Sequence, residues 1–380
     1  MTPRDARRRT GPPLSAAWRR LAAPLLAAAL LLQAGGCGFI DIDKRFFVVA
    51  LAIDKSGNDK KPYRITIRLS IPNSKTEPGM EKSQIETIDA KEISEGLRIL
   101  KSRVDKEIDL GHCKVLILGE PLAREDISDS VEWMMRRRDI QSAAFVAVGQ
   151  PDGRSILEQM PLSEHYSGNT LFLTFGGDAT KSSFIRSIKL FDLFRRINER
   201  GMDPYLPIVQ LTKNGYEVDR LALLDKTRVR AVLNPDETQL FNQLDRQYIN
   251  STIKTGFEGR TVMLAVMGLT VRQRIDRLGP GQGQLDLRIH AVGTLEEGPN
   301  DILHRHSAIV EKSFERDFSK RTESLLRKIQ RSGVDPLQFG LRFRATHISK
   351  EAFEEWQEMY PTLKFHIRTD VNIQGAGRIK

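Results

Sequence analysis

The longest uncharged apolar run in this chain is LAAPLLAAALLLQ, 13 residues at positions 21–33. No later stretch reaches the roughly 18 apolar residues that a membrane-spanning helix needs. As a helix the run would extend about 20 Å, short of a hydrocarbon core of about 30 Å. The rest of the 380 residues must therefore bury its apolar side chains against one another. With 40% hydrophobic and 28% charged residues, the chain has the balance of ordinary folded domains, and its length accommodates two or three of them.

Ahead of the apolar run lie Arg4, Arg7, Arg8, Arg9, Arg19 and Arg20 with one acid, Asp5, so half of the formal net charge of +10 sits before Cys37. A basic segment, a short apolar run and then small residues describe an export signal. Ala34, Gly35 and Gly36 directly precede Cys37. This order resembles the bacterial lipobox, although that pattern prefers leucine where Ala34 stands. The resemblance implies a signal peptide over residues 1–36, cleavage after Gly36, and a Cys37 that carries an S-diacylglycerol and an N-acyl group. Each buried methylene contributes about 0.8 kcal/mol, so two or three such chains hold a protein on a membrane almost irreversibly. The other cysteine, Cys113 in GHCKVLILG, adjoins an apolar strand and reads as a small buried side chain.

Beyond Cys37 the pattern alternates between periods. FFVVALAI (46–53) and PYRITIRLSIP (62–72) read as a strand hairpin, and apolar positions at helical spacing suggest a helix over 90–108. KVLILG (114–119), a helix over 127–140 and AAFVAVG (143–149) follow, a succession expected of a mixed sheet covered by helices. A helix over 189–200 ends at Gly201, with Pro204 and Pro207 beyond, and a domain boundary is placed there. YLPIVQLTK and YEVDRLALLD are joined through Asn214-Gly215, a strong hairpin signal. Residues 251–298 form three strands with glycine-rich turns, then come a long helix over 301–331, a short helix over 351–360 and a last alternating strand over 363–373. The expected architecture is α+β and multi-domain, each domain a mixed or antiparallel β-sheet flanked by helices: 37–200, a small β-rich middle domain at 201–250, and 251–380 with the long helix.

Motifs that carry chemistry are missing. The glycines of GPGQG (279–283) lie between two strands and cannot present a helix N-terminus to phosphate. His304 and His306, two apart on a helix, point to different faces, His347 and His366 have no metal-ligand spacing, and His112 after the Gly111 turn reads as a hydrogen-bonded structural residue. No G-x-S-x-G, H-E-x-x-H, C-x-x-C or P-loop occurs. The expectation is a protein that is not an enzyme, with no cofactor, no metal and no nucleic-acid partner. One surface stands out: Arg136, Arg137 and Arg138 at a helix end could meet lipid phosphates or an acidic partner loop.

Several stretches together resemble the Ger(x)C family, the lipoprotein C-subunits of bacterial spore germinant receptors. They are CGFIDIDKRFFVVALAIDKSG (37–57), GHCKVLILGEPLA (111–123), RRRDIQSAAFVAVG (136–149), ERDFSKRTESLLRKIQ (315–330), VDPLQFGLRFRA (334–345) and EEWQEMYPTLKFHIRTDVNIQGAG (354–377). Many members begin the mature protein with Cys-Trp-Asp, where this chain has Cys-Gly-Phe. The resemblance implies three α+β domains, and partners in a polytopic A-type and a transporter-like B-type integral-membrane subunit. It places the protein on the outer surface of the inner spore membrane or cell membrane, and it carries over no catalytic residue. Two readings follow: a lipid-anchored receptor subunit acting by assembly with these membrane subunits, and a lipid-anchored solute-binding protein that captures a small nutrient germinant directly.

Overall fold

Strand β1 (Arg45–Lys55) is apolar at nearly every position because both of its faces are covered. The computed structural model describes Pro24 and residues 44–71, 82–161, 169–177, 181–245, 250–299 and 302–376. Leu51 and Ile53 of β1 point into the main core, whereas Ala50 and Ala52 point into a smaller apolar layer on the other face. β1 pairs antiparallel with β2 (Tyr63–Ile71), and β2 with β3 (Lys82–Ala90). Helix α1 (Ile93–Lys101) stops at Ser102, whose hydroxyl donates to the Ile99 carbonyl at 2.7 Å. The helix expected over 90–108 is therefore shorter, and Ile108 instead lies buried in β4 (Glu107–Asp109), which pairs with β1. Its helical spacing was overridden by strand pairing.

The parallel part of the sheet comes next. β5 (Val115–Gly119) joins β1, and β6 (Phe145–Gln150) joins β5. Between them run α2 (Glu120–Glu125) and α3 (Ser128–Arg136), and after β6 come α4 (Gly153–Glu158), α5 (Asn169–Gly176) and α6 (Leu190–Asn198). Asp54, at the end of β1, accepts the backbone N–H groups of Gly153 at 2.6 Å and Arg154 at 2.9 Å. The first of those residues begins α4, so a buried carboxylate fixes this helix to the sheet.

The sheet does not end at Gly201. β7 (Tyr205–Thr212) pairs parallel with β6, and β8 (Gly215–Leu224) and β9 (Val229–Leu233) extend it antiparallel, giving the order β3-β2-β1-β5-β6-β7-β8-β9. The boundary expected at 200/201 thus falls inside one continuous sheet, because Val148, Gly149 and Gln150 find parallel partners in Ile208, Val209 and Gln210. Helix α7 (Pro235–Leu244) starts with a reciprocal cap: Asn234 Oδ1 accepts the Glu237 N–H at 2.9 Å and Glu237 Oε2 accepts the Asn234 N–H at 2.9 Å.

A second, four-stranded sheet comprises β10 (Thr252–Phe257), β11 (Arg260–Gly279), β12 (Gln282–Glu297) and β13 (Lys364–Ala376). The GPGQG segment is the tight turn between β11 and β12, with Gly281 in the left-handed region at φ 62°. Helix α8 (Ile302–Arg331) packs its buried stripe of Val310, Phe314, Phe318, Leu325 and Ile329 on one face of this sheet. Each such side chain contributes about 1.5–3 kcal/mol on burial. Its carboxylates also guard the sheet's edge: Glu315 accepts the Val371 N–H at 3.2 Å and Glu311 the Ile373 N–H at 2.9 Å. Helices α9 (Phe339–Thr346) and α10 (Ala352–Met359) and the turn Tyr360–Thr362 lead into β13.

Candidate functional site

The arginine-rich segment begins in the last turn of α3. Val131 and Met134 of that helix are buried, which turns Glu132 and Arg136 outward. Arg136 pairs with Glu132 one turn back at 2.7 Å. Arg137 Nε donates to Asp139 Oδ1 at 2.7 Å, and its guanidinium lies 5.5 Å from the centre of the Trp133 ring. Arg138 is exposed and, among the described residues, makes no ion pair. Exposed pairs of this kind contribute little, so Arg136 and Arg137 stay open to exchange of partners. Beside them a groove of about 500 Å³ is lined by Tyr63, Glu92, Ser94, Glu132, Trp133 and Arg136. Tyr63 Oη donates to Asp129 at 2.9 Å and Trp133 Nε1 to Ser94 Oγ at 2.9 Å. Partial burial and then the Asp129 carboxylate push the Tyr63 hydroxyl up to about 12, so it stays a neutral donor. The groove has a mixed acidic and basic rim and no activated nucleophile.

A larger cleft of about 570 Å³ opens where the first sheet meets the end of α8 and the start of α10. Lys226 sits at its wall with its ammonium turned inward, donating to the carbonyls of Arg196 at 2.6 Å, Glu199 at 2.8 Å and Met202, and lying 3.2 Å from Asp203. The Arg196 and Glu199 carbonyls lie at the end of α6, which leaves them unpaired, so the lysine acts as its C-terminal cap. Asp335 is buried and accepts the N–H groups of Phe339 at 3.0 Å and Gly340 at 2.6 Å, seating the first turn of α9. Burial pushes its carboxyl up to about 7 in spite of those bonds. Tyr360 Oη donates to the Val334 carbonyl at 2.7 Å, and burial pushes it well above the ordinary phenol range.

Two glycines let the backbones meet here. Gly201 lies at φ 82°, and a Cβ on it would stand 2.6 Å from the Gly340 carbonyl carbon; a Cβ on Gly340 would stand 2.4 Å from Trp356 Nε1. Lys226, Asp203 and Asp335 in this cleft are thus committed to a joint between the first sheet and the C-terminal helices. Neither Asp335, in VDPLQFG, nor Lys226 stood out in the sequence. The signal for Asp335 was an acid-proline pair just ahead of a helix, which reads equally as an ordinary turn.

The remaining candidates are structural. Cys113 is buried, its thiol pushed up to about 12 by that burial. His112 packs edge-on to Phe47 with ring centres 4.5 Å apart, and His347 stacks on Phe343 at 4.1 Å. His366 Nδ1 lies 2.6 Å from Asp286, and the His304 side chain falls outside the described residues. Among the described residues no group of three acids, histidines or cysteines could hold a metal ion, and no helix is long and apolar enough to cross a membrane. Cys37 and Gly36 lie outside the described residues.

Fold and clefts together define a multi-domain α+β protein whose charged groups hold elements in place. Two family models match it in chain order: the spore germination protein N-terminal domain over residues 39–211, and the spore germination B3/GerAC-like C-terminal domain over residues 219–377. The chain is 22% identical over 380 residues to the putative spore germination protein YfkR of Bacillus subtilis (strain 168), covering 93% of this chain and 95% of that one. It is 21% identical over 286 residues to spore germination protein GerQC of Bacillus cereus, covering 71% and 76%. The crystal structure of the GerBC protein shares the fold with a TM-score of 0.56 at 16% identity, covering 88% of this chain and 100% of that one. The chain belongs to the Ger(x)C family of spore germination proteins.

Proposed function

We propose that this protein is the lipid-anchored C-subunit of a nutrient germinant receptor, acting through assembly with A-type and B-type integral-membrane subunits and not through catalysis. The observation that carries this reading is the in-order match of both spore germination domains across nearly the whole chain after Cys37. The Ala34-Gly35-Gly36-Cys37 run supports an acylated residue 37, with the leader removed after Gly36. Tethering would confine the body to a thin layer on the outer membrane surface, raising its effective concentration near its partners to roughly the millimolar range. In spores carrying Cys37→Ala, the protein is expected to leave the membrane fraction and nutrient-triggered germination to weaken. Normal germination with the variant fully released would overturn the role of the tether. Affinity capture of the lipidated protein from spore membranes is expected to recover the two integral-membrane subunits.

The 570 Å³ cleft favours a second reading, direct capture of a small nutrient. Calorimetric titration of the body with amino acids and sugars separates the two, since saturable heat supports capture. The commitment of Lys226 and Asp335 to backbone partners makes the cleft a poor trap for such a solute.

A further inference from the structure

One face of the second sheet is packed under α8, and the other carries polar side chains in three successive rows. Register aligns side chains on three neighbouring strands into rows. Thr270, His290 and Asp370 form one row. Arg272, Arg288 and Arg368 form the next, directly opposite one another on β11, β12 and β13. Arg274, Asp286 and His366 form the third.

In the outer rows each basic or imidazole side chain already has a carboxylate partner. His290 meets Asp370 at 2.6 Å, His366 meets Asp286 at 2.6 Å, and Arg274 pairs with Asp276 at 2.9 Å. The middle row is different. All three arginines are exposed and, among the described residues, none makes an ion pair or a side-chain hydrogen bond. Strands lie about 4.8 Å apart, so three guanidinium stems are ranked across about 10 Å, an arrangement in which like charges directly opposite each other repel. A shallow hollow of about 380 Å³ lies against this row.

What fits such a face is set by its chemistry. At a protein interface an arginine anchors beside aromatic or apolar groups in a desolvated pocket, whereas these three are exposed along a shallow hollow. Guanidinium groups match phosphate oxygens bidentately, and an open, solvated row of unpaired guanidinium groups suits a layer of phosphates.

We propose that the row Arg272, Arg288 and Arg368 docks on the phosphate groups of anionic phospholipids, laying the second sheet against the membrane surface. The inference rests on the membrane placement proposed above and adds to it an orientation for the C-terminal half. Three basic side chains near an anionic surface raise partitioning on the order of 100-fold, modest for a free protein but enough to orient a tethered one.

The test uses the chain from residue 38 onward, whose body from Phe46 is one compact unit, with vesicles of phosphatidylcholine alone or mixed with phosphatidylglycerol. The parent is expected to co-sediment with the anionic vesicles on the order of 100-fold more strongly at low salt, and each single Arg→Gln change to lower this roughly five-fold. Arg272→Gln/Arg288→Gln/Arg368→Gln together should remove the preference while melting no lower than the parent, since opposed like charges are relieved. The triple lysine variant, which keeps the charge, should retain most of the preference and serves if the glutamine triple folds poorly. Equal binding to both vesicle types, an unaffected glutamine triple, or binding to polyglutamate without any vesicle preference would overturn the proposal. Residue 37 is absent from the assay, so failure here leaves the tether standing, and an unmodified Cys37 in spores leaves this result standing.

Discussion

Asp203 and Asp335, 132 residues apart, are locked by a reciprocal pair of bonds: the Asp203 N–H donates to the Asp335 carbonyl at 2.9 Å, and the Asp335 N–H donates to Asp203 Oδ2 at 2.7 Å. This exchange ties the loop leaving α6 to the loop entering α9. Around it stand Arg196, Lys226, Gly201 and Gly340, so the joint depends on a few irreplaceable contacts.

Gly340→Ala places a methyl group against Trp356 Nε1 and 2.9 Å from the Gly201 Cα. Neither neighbour can move without opening the joint, so a loss of about 1–3 kcal/mol is expected, as for overpacked cores. Chemical denaturation of the variant beside the parent checks it; an unchanged midpoint would mean that α9 docks elsewhere.

Arg196 is buried, donates to the carbonyls of Asp203 at 3.2 Å and Pro336 at 3.1 Å, and lies over the Tyr205 ring at 4.5 Å. Removing it strips both carbonyls of a partner and leaves Asp192, 3.2 Å away, with less compensation. Arg196→Ala is expected to cost about 3–5 kcal/mol. Arg196→Lys should recover only part of that, because lysine has no Nε–H for Asp192 and no planar group to lie over the Tyr205 ring. Equilibrium unfolding of the two variants gives the comparison.

Burial raises the folded-state carboxyls of Asp54 to about 6 and Asp335 to about 7, from an ordinary value of 3.8. Both bind a proton more tightly folded than unfolded. Their contribution to stability is full below the ordinary value and is lost as pH rises through 6 and 7. Asp335→Asn should therefore flatten the dependence of stability on pH between about 4 and 7, while lowering stability at acid pH through one mismatched amide-to-N–H contact. Urea midpoints across that range decide it: an identical slope in parent and variant would place the proton elsewhere.

Cys113 has no exposure and a thiol pushed up to about 12. Thiolate is the reactive form, so in Cys37→Ala protein no thiol should label under native conditions and one should label in denaturant. Rapid native labelling would show that β5 and its neighbours open.

Local patterns could be read directly. The Asn214-Gly215 hairpin, the apolar stripe of α8 and the turn at Gly281 each depend on residues close in sequence. Val104 and Ile108 misled for the same reason: their spacing matched a helix, but pairing with β1 recruited Ile108 into β4. The candidate surface was legible only as composition. Arg136 and Arg137 were visible as a basic run, while their pairing with Glu132 and Asp139 required the turn at the end of α3.

The sequence by itself determined the identity of most strands and helices, and the family, because these rest on short-range periodicity and on motifs in fixed order. Tertiary structure decided that β7 would prolong the first sheet past Gly201, that Asp203 would find Asp335, and that Arg272, Arg288 and Arg368 would share one row. Each depends on register between segments distant in the chain. That register is set by how buried faces fit together, and no local run of residues encodes it.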